Sequence, residues 1–312
     1  MDDKAPLVTL RSDMLDRAAV AAAAAETHAG VEIREVADVP TLKMMAKLFS
    51  DIWKTGPAEP VNSAILRALA HEGNYIVGAF RGGELLGACA AFLGWRDELS
   101  LHCHITGVRP GVRSQGIGFA LKLNLRVWAM RRDINTVTWT FDPLVRRNAH
   151  FNLVKLGARA AEYLVDFYGS LDDGINSLDD GINADQASDR LFVIWPLFAP
   201  DVIELLDCMP YRKAPEPIVR PGAWRRLDKG MDGEPELLVA HFRTQQLCAI
   251  PPDIETMRRE DPARAGRWRH ALRTALIDAQ AQGFCIQTLT SSCDYLLIRH
   301  LSREAGNWEE EL

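Results

Sequence analysis

Apolar positions recur along this chain at two alternating periods, and the switches between them mark its elements. The first thirty residues read as one helix closed by Gly30, and 31–36 (VEIREV) alternates like a strand. Residues 38–54 and 61–71 have helical spacing and are separated by Gly56-Pro57 and Pro60. Residues 74–80 and 84–92 predict two strands joined by a Gly82-Gly83 hairpin turn, and 99–108 a third ending at Pro110. Ile117, Ala120, Leu121, Leu125 and Trp128 give 116–132 a helical stripe, and 135–141 (NTVTWTF) follows as a strand. A helix over 146–156 stops at Gly157, and 163–168 and 191–197 predict two more strands. Prolines at 196, 200, 210, 215, 217 and 221 mark a linker. Beyond it, 237–242 predicts a strand, Asp261-Pro262 caps a helix running to Gly283, and 284–290 and 295–299 predict strands.

The expected fold class is α/β (α+β), a mixed and mostly antiparallel sheet flanked by helices, with a smaller α/β unit at the C-terminal end. The expected divisions are a helix over 1–30, a domain over 31–199, a Pro-rich linker over 200–222 and a second domain over 223–312.

Length and composition narrow the class. A chain of 312 residues, 47% hydrophobic and 25% charged, excludes disorder and collagen-like order and suggests two domains. Lys and Arg number 36 against 42 Asp and Glu, so no nucleic acid is expected as a partner. No apolar run is long enough to span a membrane, and the start lacks the basic region of an export signal. With cysteines at 89, 103, 208, 248, 285 and 293 and no C-x-x-C pair, the expectation is reduced thiols in a cytoplasmic protein. SLDDGIN at 170–176 is repeated at 177–183, which reads as a duplication in a surface loop. Its spacing does not match a calcium loop.

The most informative stretch joins the third strand to the helix after it: Arg113-Ser114-Gln115-Gly116-Ile117-Gly118. Glycines there let successive backbone N–H groups point into one concavity, and the helix N-terminus adds partial positive charge, so the turn suits an anion. A P-loop needs G-K-[ST], but Phe119 follows Gly118; a dinucleotide fingerprint needs a third glycine where Leu121 stands. What remains is R-x-x-G-x-G. This resembles the pyrophosphate-binding motif of the GNAT superfamily of acyl-CoA-dependent N-acyltransferases. The helix Asn148-Ala-His-Phe-Asn-Leu-Val-Lys155-Leu-Gly157 looks like that family's second cofactor element, and LHCHITGV, WTFDPL and NAHFNLVKLGA resemble a subgroup of large predicted acetyltransferases with a C-terminal extension. The resemblance covers just over half the chain well.

It implies the GNAT fold and acetyl-CoA, or another acyl-CoA, as cosubstrate. It implies a cofactor set of Thr106, Gly107, Val108, Arg113, Ser114, Gln115, Gly116, Ile117, Gly118, Asn148 and Phe151. It also implies transfer of an acyl group, acetyl by default, to the amine of a small molecule, with amino-acid N-succinyl transfer as an alternative. A further alternative is a non-catalytic acyl-CoA-binding module. Many family members carry a tyrosine two residues before the lysine of the second element, where it protonates the leaving thiolate. Here that position is Leu153, and Tyr163 and Tyr168 are candidate replacements.

For the chemistry itself, the amine must be made neutral. His102 and His104 alternate with Leu101, Cys103 and Ile105, which predicts both histidines and Thr106 on one face of the strand. Imidazole is a natural acceptor for an ammonium proton, so His104 is the first candidate base and His102 the second. Backbone N–H groups near Thr106 to Val108 could hold the carbonyl oxygen as it gains charge. Trp139, Asp142 and Asn152 are candidates for the acceptor pocket, with Asn148 and Asn152 on one helix face. No third ligand accompanies the histidine pair, so no metal is expected. The tail lacks R-x-x-G-x-G, so one acyl-CoA per chain is expected. The tail itself is expected to cover apolar surface of the first domain or to form a homo-oligomer contact.

Overall fold

The structure is a computed structural model, and it describes residues 4–53, 59–169, 188–208, 216–238 and 244–299. The SLDDGIN repeat lies outside the described residues. A long helix, α1 (Lys4–Ala29), opens the chain and ends at Gly30, whose φ of +61° fits a helix C-terminus that only glycine adopts readily. Seven strands then form one sheet: β1 (Glu32–Glu35), β2 (Tyr75–Arg81), β3 (Glu84–Trp95), β4 (Leu99–Val108), β5 (Thr136–Phe141), β6 (Arg159–Leu164) and β7 (Arg190–Pro196). Their order is β1-β2-β3-β4-β5-β7-β6, and only β4 and β5 pair in parallel. The β2–β3 turn has φ of +55° at Gly82 and +87° at Gly83, the left-handed pair a two-residue hairpin demands.

Helices α2 (Val39–Trp53) and α3 (Ser63–His71) cover one face of this sheet. Their Leu42, Met45, Phe49 and Leu66 pack on Ile76, Phe80, Ala88 and Ala90. Helix α4 (Ile117–Met130) covers the other face. Its sequence, IGFALKLNLRVWAM, is apolar nearly all round because α4 is covered twice, by the sheet beneath it and by α1 above it. Ala18, Ala21, Ala22, Ala25 and Ala29 form the buried stripe of α1, and such small side chains allow two helices a close approach. Asn124 on α4 donates to Glu26 on α1 at 2.9 Å and accepts from the Tyr75 hydroxyl at 3.0 Å.

A second sheet holds β8 (Trp224–Lys229), β9 (Pro235–Leu237), β10 (Gln245–Cys248), β11 (Phe284–Leu289) and β12 (Tyr295–Arg299), in the order β11-β12-β10-β8-β9. Helix α8 (Pro262–Ala281) lies across it, capped by the Asp261 side chain on the Arg264 N–H at 2.9 Å, after the short α7 (Ile254–Glu260). Trp268, Leu272, Leu276 and Tyr295 belong to the same continuous core as Trp139, Leu191 and Val193 of the first sheet. The C-terminal unit therefore covers apolar surface of the first. Buried polar groups fix that seam. Asp142, just past β5, pairs with Arg258 of α7 and with both terminal nitrogens of Arg269 of α8 at 2.8 and 2.7 Å. Asp189 takes Arg273 at 2.7 and 2.9 Å and the Tyr163 hydroxyl at 2.7 Å.

Two expectations need correction. The strand expected at 163–168 is β6 at Arg159–Leu164, and Asp166 turns the chain with φ of +46°. The alanine-rich RAAEYL has little β preference of its own; pairing with β7 makes it a strand. The stretch read as a linker from 200 begins with α6 (Pro200–Ile203) and a π-helical turn over Glu204–Cys208. Val202 and Leu206 are buried there, and Asp207 forms a buried ion pair with Arg126 of α4. Strands β8 and β10 were unread, because neither shows clean alternation. The strand expected at 237–242 lies largely outside the described residues; what is described is β9, ending at Leu237.

Candidate active site

Two irregularities of β4 create the site. The first is where its pairing with β5 stops. The parallel ladder holds only Leu101 opposite Val137 and His102 opposite Thr138, after which the strands part into a fork. Parting leaves the β5-facing edge of β4 beyond His102 without a strand partner, so backbone N–H and C=O groups there can receive a guest. The second is a β-bulge. Ala90 pairs with Ile105 and Ala91 with Cys103, so His104 is the extra residue with no partner on β3.

The bulge resets the alternation of side chains, and this corrects the expected face. His102 and His104 share one face with Phe92, whose ring centroid lies 5.3 and 5.9 Å from theirs. Thr106 is turned to the other face, where its hydroxyl lies 3.2 Å from both Cys89 Sγ and Cys103 Sγ. His102 Nδ1 lies 3.1 Å from the Thr138 hydroxyl, a bond that spans the mouth of the fork. His104 is open to solvent on one side. Burial of the rest of each ring lowers the pKa of both histidines below the ordinary imidazole value, so both are neutral and able to accept a proton at pH 7.

Beyond β4, a 3₁₀ turn over Pro110–Val112 leads to two left-handed residues, Ser114 with φ of +69° and Gly116 with φ of +84°. They curl the chain into the first turn of α4, whose N–H groups have no acceptor within the helix. Arg113, Ser114 and Gln115 are exposed along the rim, while Ile117 is buried and anchors the turn. At Gly107 the packing is close: a Cβ there would lie 2.6 Å from Ile52 Cδ1, so the Ile52 side chain of α2 would have to shift. Gly118 is different: a Cβ would meet only Val108 Cγ2, at an ordinary 3.8 Å. The fold therefore does not require glycine at 118.

Helix α1 also reaches this turn. Arg81 donates to Ala29 O at 2.7 Å, Gly30 O at 3.0 Å and Gln115 Oε1 at 3.0 Å, which ties the end of α1 to the loop. On the other flank, burial and the nearby Arg147 charge lower the pKa of Arg113, opposed by Glu255. Arg147 Nη2 in turn donates to Glu255 of α7 at 2.8 Å. The C-terminal unit thus reaches the edge of the anion turn.

The expected helix over 146–156 is α5 (Arg146–Ala149) followed by a π-helical turn, His150–Lys155. The wider turn leaves Asn148 and Phe151 half-buried and turns Asn152 and Leu153 into the interior. The three pocket candidates are therefore interior residues. Trp139 is 4% exposed and packs edge-on against Trp195 at 5.8 Å. Asp142 is held in the seam by its two arginines, and Asn152 is buried. Tyr163 and Tyr168 lie beyond the fork; Tyr163 donates its hydroxyl to Asp189. One charged residue at the fork went unread: Lys122, buried on the sheet side of α4. Its signal was visible, since it interrupts an apolar run between Leu121 and Leu123. Among the described residues no group of three His, Cys, Asp or Glu side chains converges as a metal site, and no helix is long and apolar enough to cross a membrane.

Residues 42–157 match the model of the acetyltransferase (GNAT) family, a span that runs from α2 through the fork and anion turn to the end of the π turn. None of the curated proteins matches the chain. Among solved structures, an N-acetyltransferase from Staphylococcus aureus Mu50 is 16% identical, with 54% of this chain and 98% of that chain covered and a TM-score of 0.42. The ribosomal-protein-S18-alanine N-acetyltransferase from Escherichia coli is 15% identical, with 54% and 94% covered and a TM-score of 0.40. Naa50 from Arabidopsis thaliana, in complex with the bisubstrate analogue CoA-Ac-MVNAL, is 17% identical, with 53% and 97% covered and a TM-score of 0.38. The chain carries a GNAT acetyltransferase domain. It is an acyl-CoA-dependent acyltransferase, of a family that uses acetyl-CoA as cosubstrate.

Proposed function

We propose that this protein transfers an acyl group, acetyl by default, from acyl-CoA to the amine of a small molecule within the fork between β4 and β5. The observation that carries the reading is the position of the fork, which opens at His102–Thr138 and leads to the anion turn at Arg113–Gly118. The residues present fit such a cosubstrate. The turn offers N–H groups, a helix N-terminus and the Arg113 guanidinium to a pyrophosphate. The unpaired edge of β4 offers the pantetheine amides a strand-like partner. Asn148 and Phe151 border the same side from the helix after β5. His104, neutral and exposed at the bulge, removes the ammonium proton. Backbone N–H groups near the bulge stabilise charge on the carbonyl oxygen. The second sheet carries no R-x-x-G-x-G, so one acyl-CoA binds per chain.

Calorimetry with acetyl-CoA and succinyl-CoA, followed by an amine screen using the tighter donor, tests the reading and selects the acyl group. The incisive variants are at Gly118. Gly116→Val would strain a left-handed residue, whereas Gly118 lies outside that region and has room for a Cβ. Gly118→Ala should raise stability by up to about 1 kcal/mol through helix propensity. Gly118→Leu should stay folded while weakening acyl-CoA binding at least tenfold, about 1.4 kcal/mol. Unchanged affinity in the leucine variant would remove the anion turn from the cosubstrate site.

A further inference from the structure

The fork has a floor. One residue past the last β4–β5 pair, Cys103 and Trp139 are bridged from the α4 side by a single side chain. Lys122 Nζ lies 3.2 Å from Cys103 Sγ and 3.8 Å from the centroid of the Trp139 ring. Lys122 is only 4% exposed. Burying an ammonium is costly unless it is well paired, and a thiol and a ring face are modest partners. A leucine here would continue the run of Leu121 and Leu123 at no such cost. The groups facing Lys122 are few. Cys103 lies against it, Cys89 Sγ is 3.6 Å from Cys103 Sγ, Thr106 bonds both thiols, and His102 feels its charge across the strand. The hydrogen bond with Cys89 and the charge of Lys122 hold the Cys103 thiol below its ordinary pKa against the effect of burial, whereas burial and that same bond push Cys89 up; the charge of Lys122 acts to lower both.

Length brings the reacting sulfur to this place. From pyrophosphate to thiol, the arm of CoA has about thirteen chain atoms, equal to roughly four extended residues or ~14 Å. Measured back along β4 from Val108, beside the anion turn, four residues at ~3.3 Å reach His104, next to Cys103. The candidate base lies on one face of the fork and Lys122 on the other. The nearby tyrosines are committed elsewhere: Tyr75 donates to Asn124 at 3.0 Å and Tyr163 to Asp189 at 2.7 Å. Leu153 is buried in the core.

We propose that Lys122 is the acid of the reaction, protonating the CoA sulfur as it departs. The proposal rests on the fork being the acyl-transfer site. In the balanced step, the amine has already lost its ammonium proton through His104 to solvent, and His104, neutral again, takes a second proton as the nitrogen bonds the acyl carbon. The C–S bond breaks with its electron pair passing to sulfur. Lys122 Nζ gives that sulfur a proton and regains one from solvent, to which the imidazolium releases its own.

The test titrates the thiol of bound CoA by its thiolate absorbance in the ultraviolet, subtracting the protein without CoA. On the wild-type protein the CoA thiol should ionise at least about one pH unit below free CoA, because an ammonium stands beside it. In Lys122→Met that shift should vanish and kcat should fall about 10²-fold, with CoA affinity within about threefold. Lys122→Arg should keep the shift, since its charge remains, but should not restore kcat, since guanidinium does not release its proton. An unshifted thiol on wild-type protein that binds CoA overturns the role of Lys122 alone, and needs no variant to fold. Wild-type turnover in Lys122→Arg also overturns it. Failure to bind CoA at all overturns the reading of the fork, and this inference with it.

Discussion

Replacing His104 with alanine is expected to lower kcat by roughly 10²–10⁴-fold near neutral pH, the usual contribution of a positioned general base. The expectation follows from the bulge. An ordinary alternating strand would keep position 104 in register with β3; the extra residue leaves it unpaired and exposed on the face shared by His102 and Phe92. His102, on the same face, already meets the Thr138 hydroxyl at 3.1 Å, and its loss should cost less. Burial lowers both imidazole pKa values, so the base form persists to lower pH than for a free histidine. The acid limb of the kcat profile should therefore fall below pH ~6.5 and should flatten in His104→Ala. Steady-state kinetics across pH, at saturating acyl-CoA, reads both effects. A loss of fivefold or less would make His104 a packing residue against Phe92.

Removing the carboxylate of Asp142 should strongly destabilise the protein. Asp142→Ala leaves Arg269, 3% exposed, charged in the seam without the carboxylate that takes both its terminal nitrogens, and removes one partner of Arg258. Breaking a buried pair in this way typically costs 3–5 kcal/mol, chiefly from the uncompensated charge. It also removes the acceptor of the Leu144 N–H, bonded at 2.9 Å. Burial alone would raise the pKa of Asp142, but Arg269 and then Arg258 hold it far below the usual carboxylate range. Its stabilisation is thus complete above the unfolded value of about 3.9 and is lost only as pH falls toward the depressed native one. The variant should be destabilised equally at pH 6 and pH 8. Urea unfolding at both values checks this, and a loss under about 1 kcal/mol at either would mean that the arginines find other partners.

The seam gives the C-terminal unit a role beyond covering apolar surface of the first sheet. Arg258, Arg269 and Arg273 are close in sequence, and nothing local to them points to the first sheet. In the fold, each finds a carboxylate of the first sheet's elements, at Asp142 or Asp189. Those carboxylates stand near the ends of β5 and β7, so the C-terminal unit braces the strand that forms the far wall of the fork.

Local rules were enough to read α1, the β2–β3 hairpin, the capped α8 and the glycine turn at 113–118. Each depends on a few neighbouring residues: a periodic stripe, a Gly-Gly pair, an Asp-Pro cap, a glycine with positive φ. What the sequence left undetermined depends on residues far apart along the chain. The bulge at His104 exists only in the register of β4 against β3, and it alone moved Thr106 to the opposite face. β6 became a strand because β7 lay beside it. Lys122 became a buried cation between Cys103 and Trp139 only when α4 was laid across the fork. Capping and turn geometry are settled within a few residues, where chain connectivity already enforces proximity. Register, burial and ion pairing are settled by whichever distant partner the packed core brings within a few ångströms, and no local pattern encodes that distance.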